Sequence, residues 1–247
     1  MKNALLSLFA LFSMTVQAQQ TEGIVHYTRT SYWAKILNEM TYLSKQEKER
    51  TAYMFQGRDA WQEYTVLYFN SKASKYTHSD ERSDESQGYD WRKKQYIIKR
   101  DFEKNLLQDI IETAVETYII EDSLHTPTWI ILNDLKDVAG HICMKAVVVD
   151  TVKKQKIVAW FAQDLPVSAG PERLFGLPGL IMEIDINDGA VVVSATRIET
   201  KKLTQELDLP KKIKGKRLSE TAYQQMLAKF IRQQMKDEKN PYWTLRY

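Results

Sequence analysis

His141-Ile142-Cys143 is the pattern in this chain with the most direct route to chemistry. On a strand, alternate side chains share a face about 7 Å apart. An imidazole and a thiolate so placed could hold copper or zinc. A third ligand would have to come from His26, His78 or His125. Glu183 and Asp185 also share a strand face, and paired carboxylates carry out glycoside hydrolysis. Acids on an outward strand face are read as solvated, and nothing beside them in sequence would tune a pKa. Ser168 has no Gly-x-Ser-x-Gly elbow around it. Asp80, Glu81, Asp84 and Glu85 lack the spacing of a calcium loop. Cys143 is the one cysteine, so no internal disulfide and no multi-cysteine zinc site can form. It reads as a packed core residue. These residues assign no catalytic group and imply no cofactor; His141 and Cys143 stand as the metal alternative.

Aromatic residues suggest a different use. Trp61, Tyr64, Tyr68, Tyr76, Tyr89, Trp91 and Tyr96 crowd the N-terminal half. On one concave face they would stack on sugars or cover lipid. Strands also favour aromatics without any ligand.

Strands must position these groups. Residues 23–28, 61–69, 74–77, 89–102, 117–121, 128–132, 141–149, 156–162, 180–186 and 190–199 carry β-branched, aromatic or alternating patterns. Asn187-Asp188-Gly189 suits a hairpin turn. No interval resembles a crossover helix, so the sheet should be mostly antiparallel. Residues 33–50 read as one amphipathic helix, and 78–88 as a polar, acidic loop. Ser219 opens the clearest helix, over 219–236, where Tyr223, Met226, Leu227, Phe230 and Ile231 form an apolar stripe. The expected fold is mainly β (α+β): a curved, mostly antiparallel sheet with a C-terminal amphipathic helix docked on it. Residues 19–247 form one expected domain.

The first 18 residues read as a signal peptide. Lys2 supplies the positive end, Ala4 to Val16 is almost wholly apolar, and Val16-Gln17-Ala18 fits a cleavage site. The run is too short for a membrane span of about 20 residues. An exported, non-transmembrane protein starting at Gln19 is expected. With 35 basic and 32 acidic residues the charge is near balance. The basic cluster Lys211, Lys212, Lys214, Lys216 and Arg217 reads as a solvated linker, so no nucleic-acid partner is expected.

Residues 166–181, PVSAGPERLFGLPGLI, hold three of nine glycines and three of six prolines. Gly170-Pro171 breaks the chain. Leu177-Pro178-Gly179-Leu180 fits a type II turn with positive φ at Gly179. The segment is expected to be a rigid, buried corner anchored by Leu174 and Phe175.

Gly176-Leu177-Pro178-Gly179-Leu180-Ile181 resembles the motif that names the GLPGLI family of Bacteroidota exported proteins. Trp129, the stretch Gly140 to Ala146, Ala159-Trp160-Phe161, Gly170-Pro171, Leu67-Tyr68-Phe69 and Ser74-Lys75-Tyr76 resemble its surroundings in order. The resemblance implies an exported β-rich protein with a sheet like the half-barrels of periplasmic lipoprotein carriers. It also implies outer-membrane transport proteins as partners. The function expected is a binding or accessory protein at the periplasm or outer membrane, holding an apolar or extended ligand. The alternatives are a structural partner of an outer-membrane transport system, and a metal-binding protein or hydrolase.

Overall fold

The computed structural model describes residues 22–54, 60–80 and 95–247. The signal-peptide reading and the residues Glu81, Asp84, Glu85, Tyr89 and Trp91 lie outside the described residues. Among the described residues, twelve strands form one open sheet. They are β1 (Gly23–Ser31), β2 (Trp61–Phe69), β3 (Ala73–His78), β4 (Tyr96–Asp101), β5 (Leu106–Glu112) and β6 (Thr117–Ser123). Then come β7 (Ile130–Val138), β8 (His141–Asp150), β9 (Gln155–Ala162), β10 (Leu180–Ile186), β11 (Val191–Thr200) and β12 (Lys216–Leu218). The order in space is β12-β6-β5-β4-β3-β2-β1-β11-β10-β9-β8-β7. Only the β12–β6 pair is parallel. The expected mostly antiparallel sheet is what the chain builds.

β1 is the keel. The meander β2 to β6 runs outward from one side of it, and β7 to β11 runs back to the other. β7 also comes back into contact with β11, three strands beyond its neighbour, so this end of the sheet rolls on itself. In antiparallel ladders, directly opposed residues share a face. One row across six strands reads Val25, Leu67, Tyr76, Ile98, Asp109 and Ile120. All six are buried. That row defines the core face, and Asp109 is its one charge.

Three helices complete the fold: α1 (Trp33–Glu39), α2 (Lys45–Met54) and α3 (Glu220–Lys236). The single helix expected over 33–50 is two, broken at 40–44, where Met40 and Leu43 turn into the core. Ser44 takes the N–H of Glu47, as a cap should. α3 starts where expected, with Ser219 Oγ accepting from the N–H of Ala222 at 3.2 Å. It buries Tyr223, Leu227 and Ile231, and the Tyr223 ring lies 6.0 Å from Tyr118 of β6. No helix among the described residues is long and apolar enough to cross a membrane.

The Gly/Pro-rich corner differs from expectation in one respect. Gly179 does not have positive φ; Gly176 does, at 91°. Gly179 is needed for closeness instead. A Cβ there would sit 2.3 Å from the carbonyl oxygen of Ala162, where β10 leaves the corner beside β9. Gly170 is similarly tight, with a Cβ falling 2.8 Å from the Ile181 side chain. Within the corner Phe175 and Leu177 are buried, Leu174 packs on the core, and Trp129 donates its indole N–H to the Phe175 carbonyl at 2.9 Å. Pro178 is exposed.

Candidate ligand-binding site

Arg29 and Ser31 lie two apart on β1 and face the core, opposite Glu63 and Trp61 of β2. An arginine buried this deeply needs anionic partners. Arg29 Nε lies 3.1 Å from Glu172, its NH1 donates to Ser31 Oγ at 2.6 Å, and Glu63 is 3.4 Å away. Glu172 arrives from the Gly/Pro-rich corner, at a residue with φ of 56°. It also accepts two bonds of 2.9 Å from Arg246, near the C-terminal end. Arg246 in turn reaches Glu63 at 3.1 Å and lies over the Tyr96 ring at 4.6 Å. Tyr76 Oη donates to Glu172 at 3.3 Å. Burial alone would raise the Glu172 carboxyl, but Arg246 and Arg29 outweigh it and hold it down at about 2. Glu63 is lowered for the same reason, with burial opposed by Arg246, Arg29 and His78.

A second network sits alongside. Asp109, fully buried on β5, pairs with Arg100 of β4, and Arg173 Nε donates to it at 2.8 Å. Arg173 continues to Glu220, in the first turn of α3. Adjacent residues of the corner, Glu172 and Arg173, thus tie the sheet to the C-terminal segment and to the helix.

Over this polar floor lies a cavity of about 430 Å³, within the range of small-molecule sites. Its walls are aromatic: Trp33, Trp61, Tyr96, Tyr223, Trp243 and Tyr247. Trp33 and Trp243 are stacked with centroids 6.0 Å apart. A 3₁₀ turn at Pro241–Trp243, capped by Asn240, brings Trp243 into place. Lys153, from the β8–β9 turn, lines the same cavity and donates to the Arg246 carbonyl at 2.8 Å.

Of the aromatics singled out by sequence, Trp61 and Tyr96 line the cavity and Tyr76 sits beneath it. Tyr64 and Tyr68 alternate with the cavity-facing residues of β2, and so lie on the opposite face of the sheet. The other chemical candidates do not converge here. His141 Nδ1 pairs with Asp164 at 2.7 Å. Cys143 is fully buried, its Sγ donating to the His141 carbonyl at 3.5 Å. Burial, with Asp164, Asp137 and Glu183 nearby, pushes its thiol up to about 12. Among the described residues no group of three histidine, cysteine or acid side chains gathers as for a metal. Glu183 is not the solvated acid expected: it is buried, with Lys136 at 2.5 Å and Ser194 Oγ at 2.8 Å. Asp185 accepts the Gly189 N–H and shapes the β10–β11 turn. Ser168 is exposed. The motif residues Gly170, Pro171 and Gly176 to Ile181 form the corner that delivers Glu172 and Arg173; of them, none lines the cavity.

Sequence reading missed Arg29, Glu63, Lys153, Glu172, Arg173 and Arg246. One signal was available: an arginine in a strand otherwise flanked by β-branched and aromatic residues, Tyr27-Thr28-Arg29-Thr30, on the face that Tyr27 buries.

Comparison with known proteins gives a partial match. The model of a family described as "Protein of unknown function (Porph_ging)" matches residues 149–183. That span holds Lys153, the corner and the GLPGLI hexapeptide. Two solved structures of PNGF-II, in different crystal forms, are similar in fold. One has a TM-score of 0.56 at 16% identity over 84% of this chain and 33% of its own. The other has a TM-score of 0.54 at 18% identity over 83% and 32%. The chain therefore spans about a third of the PNGF-II chains it matches. At these identities the likeness is one of fold. No curated protein matches the chain.

Proposed function

We propose that the protein is a binding protein that holds a small or extended ligand in the aromatic cavity on the core face of its sheet. The supporting observation is the convergence of Trp33, Trp61 and Trp243 on one cavity above a floor where Arg29 and Arg246 pair with Glu63 and Glu172. Indoles offer large, rigid contact area at low entropic cost. Glu63 and Glu172 are held ionised by two arginines, which suits a binding wall better than a general base. The reading of the first 18 residues adds export, with a mature start at Gln19. The GLPGLI resemblance adds a place at the periplasm or outer membrane, beside transport proteins there.

Native mass spectrometry of gently purified full-length protein tests the cavity. A bound species is expected, displaced in Trp61→Ala and Trp243→Ala. Wild type that carries nothing, and binds no ligand from its source extract, would overturn the reading. N-terminal sequencing tests export; a mature chain beginning at Met1 would exclude it.

A further inference from the structure

The charges around the cavity are not all directly paired. Arg29 and Arg246 are satisfied by Glu63 and Glu172. Lys153 is different. Among the described residues it forms no ion pair, and its ammonium bonds only the Arg246 carbonyl. The turn that presents it is fixed: Asp150 Oδ1 accepts the N–H groups of both Val152 and Lys153, at 2.8 and 2.9 Å, and Lys154 takes φ of 56°. The Asp150 carboxylate is thereby engaged with backbone. Arg29 also donates to the Tyr247 backbone oxygen at 3.4 Å, which leaves Lys153, among the described residues, as the lining cation that no side-chain carboxylate contacts. The remaining acid of the lining, Glu112, lies at an exposed rim and accepts the N–H of Gln95.

A half-buried ammonium with no carboxylate in contact is costly, and a ligand anion removes that cost. Resting on the cavity reading above, we propose that the ligand is a ring-bearing organic acid, with its ring against the indoles and its carboxylate on the Lys153 ammonium. Two chemistries share that description: an aromatic acid, and a sugar acid whose flat face stacks on tryptophan.

Lys153's own titration gives a second handle. Burial lowers it to about 8, with Asp150 and Glu172 opposing and Arg29 and Arg173 assisting. Glu63, His78, Arg246, Tyr242 and Tyr247 line the same space. An anion placed on Lys153 raises its affinity for a proton. At about pH 8.5, just above that value, ligand binding must therefore take up protons.

Isothermal titration calorimetry of the full chain near neutral pH supplies the test. The probes are 2-naphthoate beside 2-naphthamide, and trigalacturonate beside galactotriose. One acid is expected to bind at least about tenfold tighter than its uncharged counterpart. Which acid does so identifies the source. The preference should vanish in Lys153→Met, which keeps the stem and loses the charge. Equal binding of acid and neutral probe, or a preference that survives Lys153→Met, overturns the proposal and leaves the cavity reading standing. Binding by none of the four probes overturns the proposal, while native mass spectrometry still judges the cavity on its own. Should Lys153→Met not fold, Lys153→Gln decides on the same outcomes, since it keeps a donor for the Arg246 carbonyl and loses the charge. Proton uptake by wild type at about pH 8.5, read in buffers of different ionisation enthalpy, adds support.

Discussion

Glu172 and Cys143 are both buried and both carry reactive atoms, yet their surroundings differ in kind. Glu172 is met by Arg29 of β1, Tyr76 of β3 and Arg246 of the C-terminal segment. Cys143 finds its hydrogen bond two residues away, on its own strand. The first is a junction of distant chain segments. The second is a packed wall position. Short spacing in sequence brought two polar groups together without giving them a shared target, whereas the groups that share a cavity lie far apart along the chain. The sharpest break of this contrast is Glu172→Ala. It leaves two buried guanidiniums sharing Glu63 as their one side-chain carboxylate, so stability should fall by about 3 kcal/mol, measured by urea unfolding. A loss below about 1 kcal/mol, within the scatter of ordinary surface changes, would mean the junction is ornamental.

Acid should expose the same junction without mutation. Glu172 is lowered from 4.5 to about 2 in the folded chain. An unfolded chain then binds more protons across that window, so the stabilisation is complete above about 4.5 and is lost as pH falls toward 2. Wild type should show a steep decline in melting temperature there, and Glu172→Gln a shallower one. Parallel profiles would move the acid sensitivity to Asp109, whose carboxyl is also held down, against burial, by Arg100 and Arg173.

Gly179 carries the next largest effect. Its Cβ would overlap the Ala162 carbonyl, and backbone cannot rotate away as a side chain can. Gly179→Val should cost about 3 kcal/mol by overpacking, and should also loosen Glu172 and Arg173, which the corner holds. Unchanged thermal unfolding would show that the corner can shift without consequence.

These effects mark what the sequence could disclose. β11 was legible because it alternates with one face buried, at Val191, Val193 and Ala195, and β8 because it is rich in β-branched residues. β5 was not: Leu106-Leu107 and Ile110-Ile111 are doublets, and the buried Asp109 between them looks like a loop residue until Arg100 and Arg173 arrive. The keel position of β1 was hidden too, since its partner β11 lies far along the chain. For Gly179 the residue was legible as special, but turn chemistry was the wrong reason. Close approach to β9 depends on a register that no local pattern encodes. The cavity was least legible, because its lining comes from α1, β2, the β8–β9 turn, α3 and the C-terminal segment.

The smallest expected effect belongs to Cys143. Replacing it with alanine removes one sulfur from a wall already lined by Ala162, so about 1 kcal/mol or less should be lost. With its thiol pushed up to about 12, the thiolate needed for alkylation is scarce at neutral pH. Iodoacetamide should therefore label the unfolded chain and leave the folded one untouched. Zinc or copper should leave the melting temperature unchanged, because His141 is engaged by Asp164 and, among the described residues, no group of three histidine, cysteine or acid side chains gathers. A metal-induced rise in melting temperature that disappeared in both His141→Ala and Cys143→Ala would reverse this. It would make the short-range pair a site in its own right, and would end the contrast with the junction around Glu172.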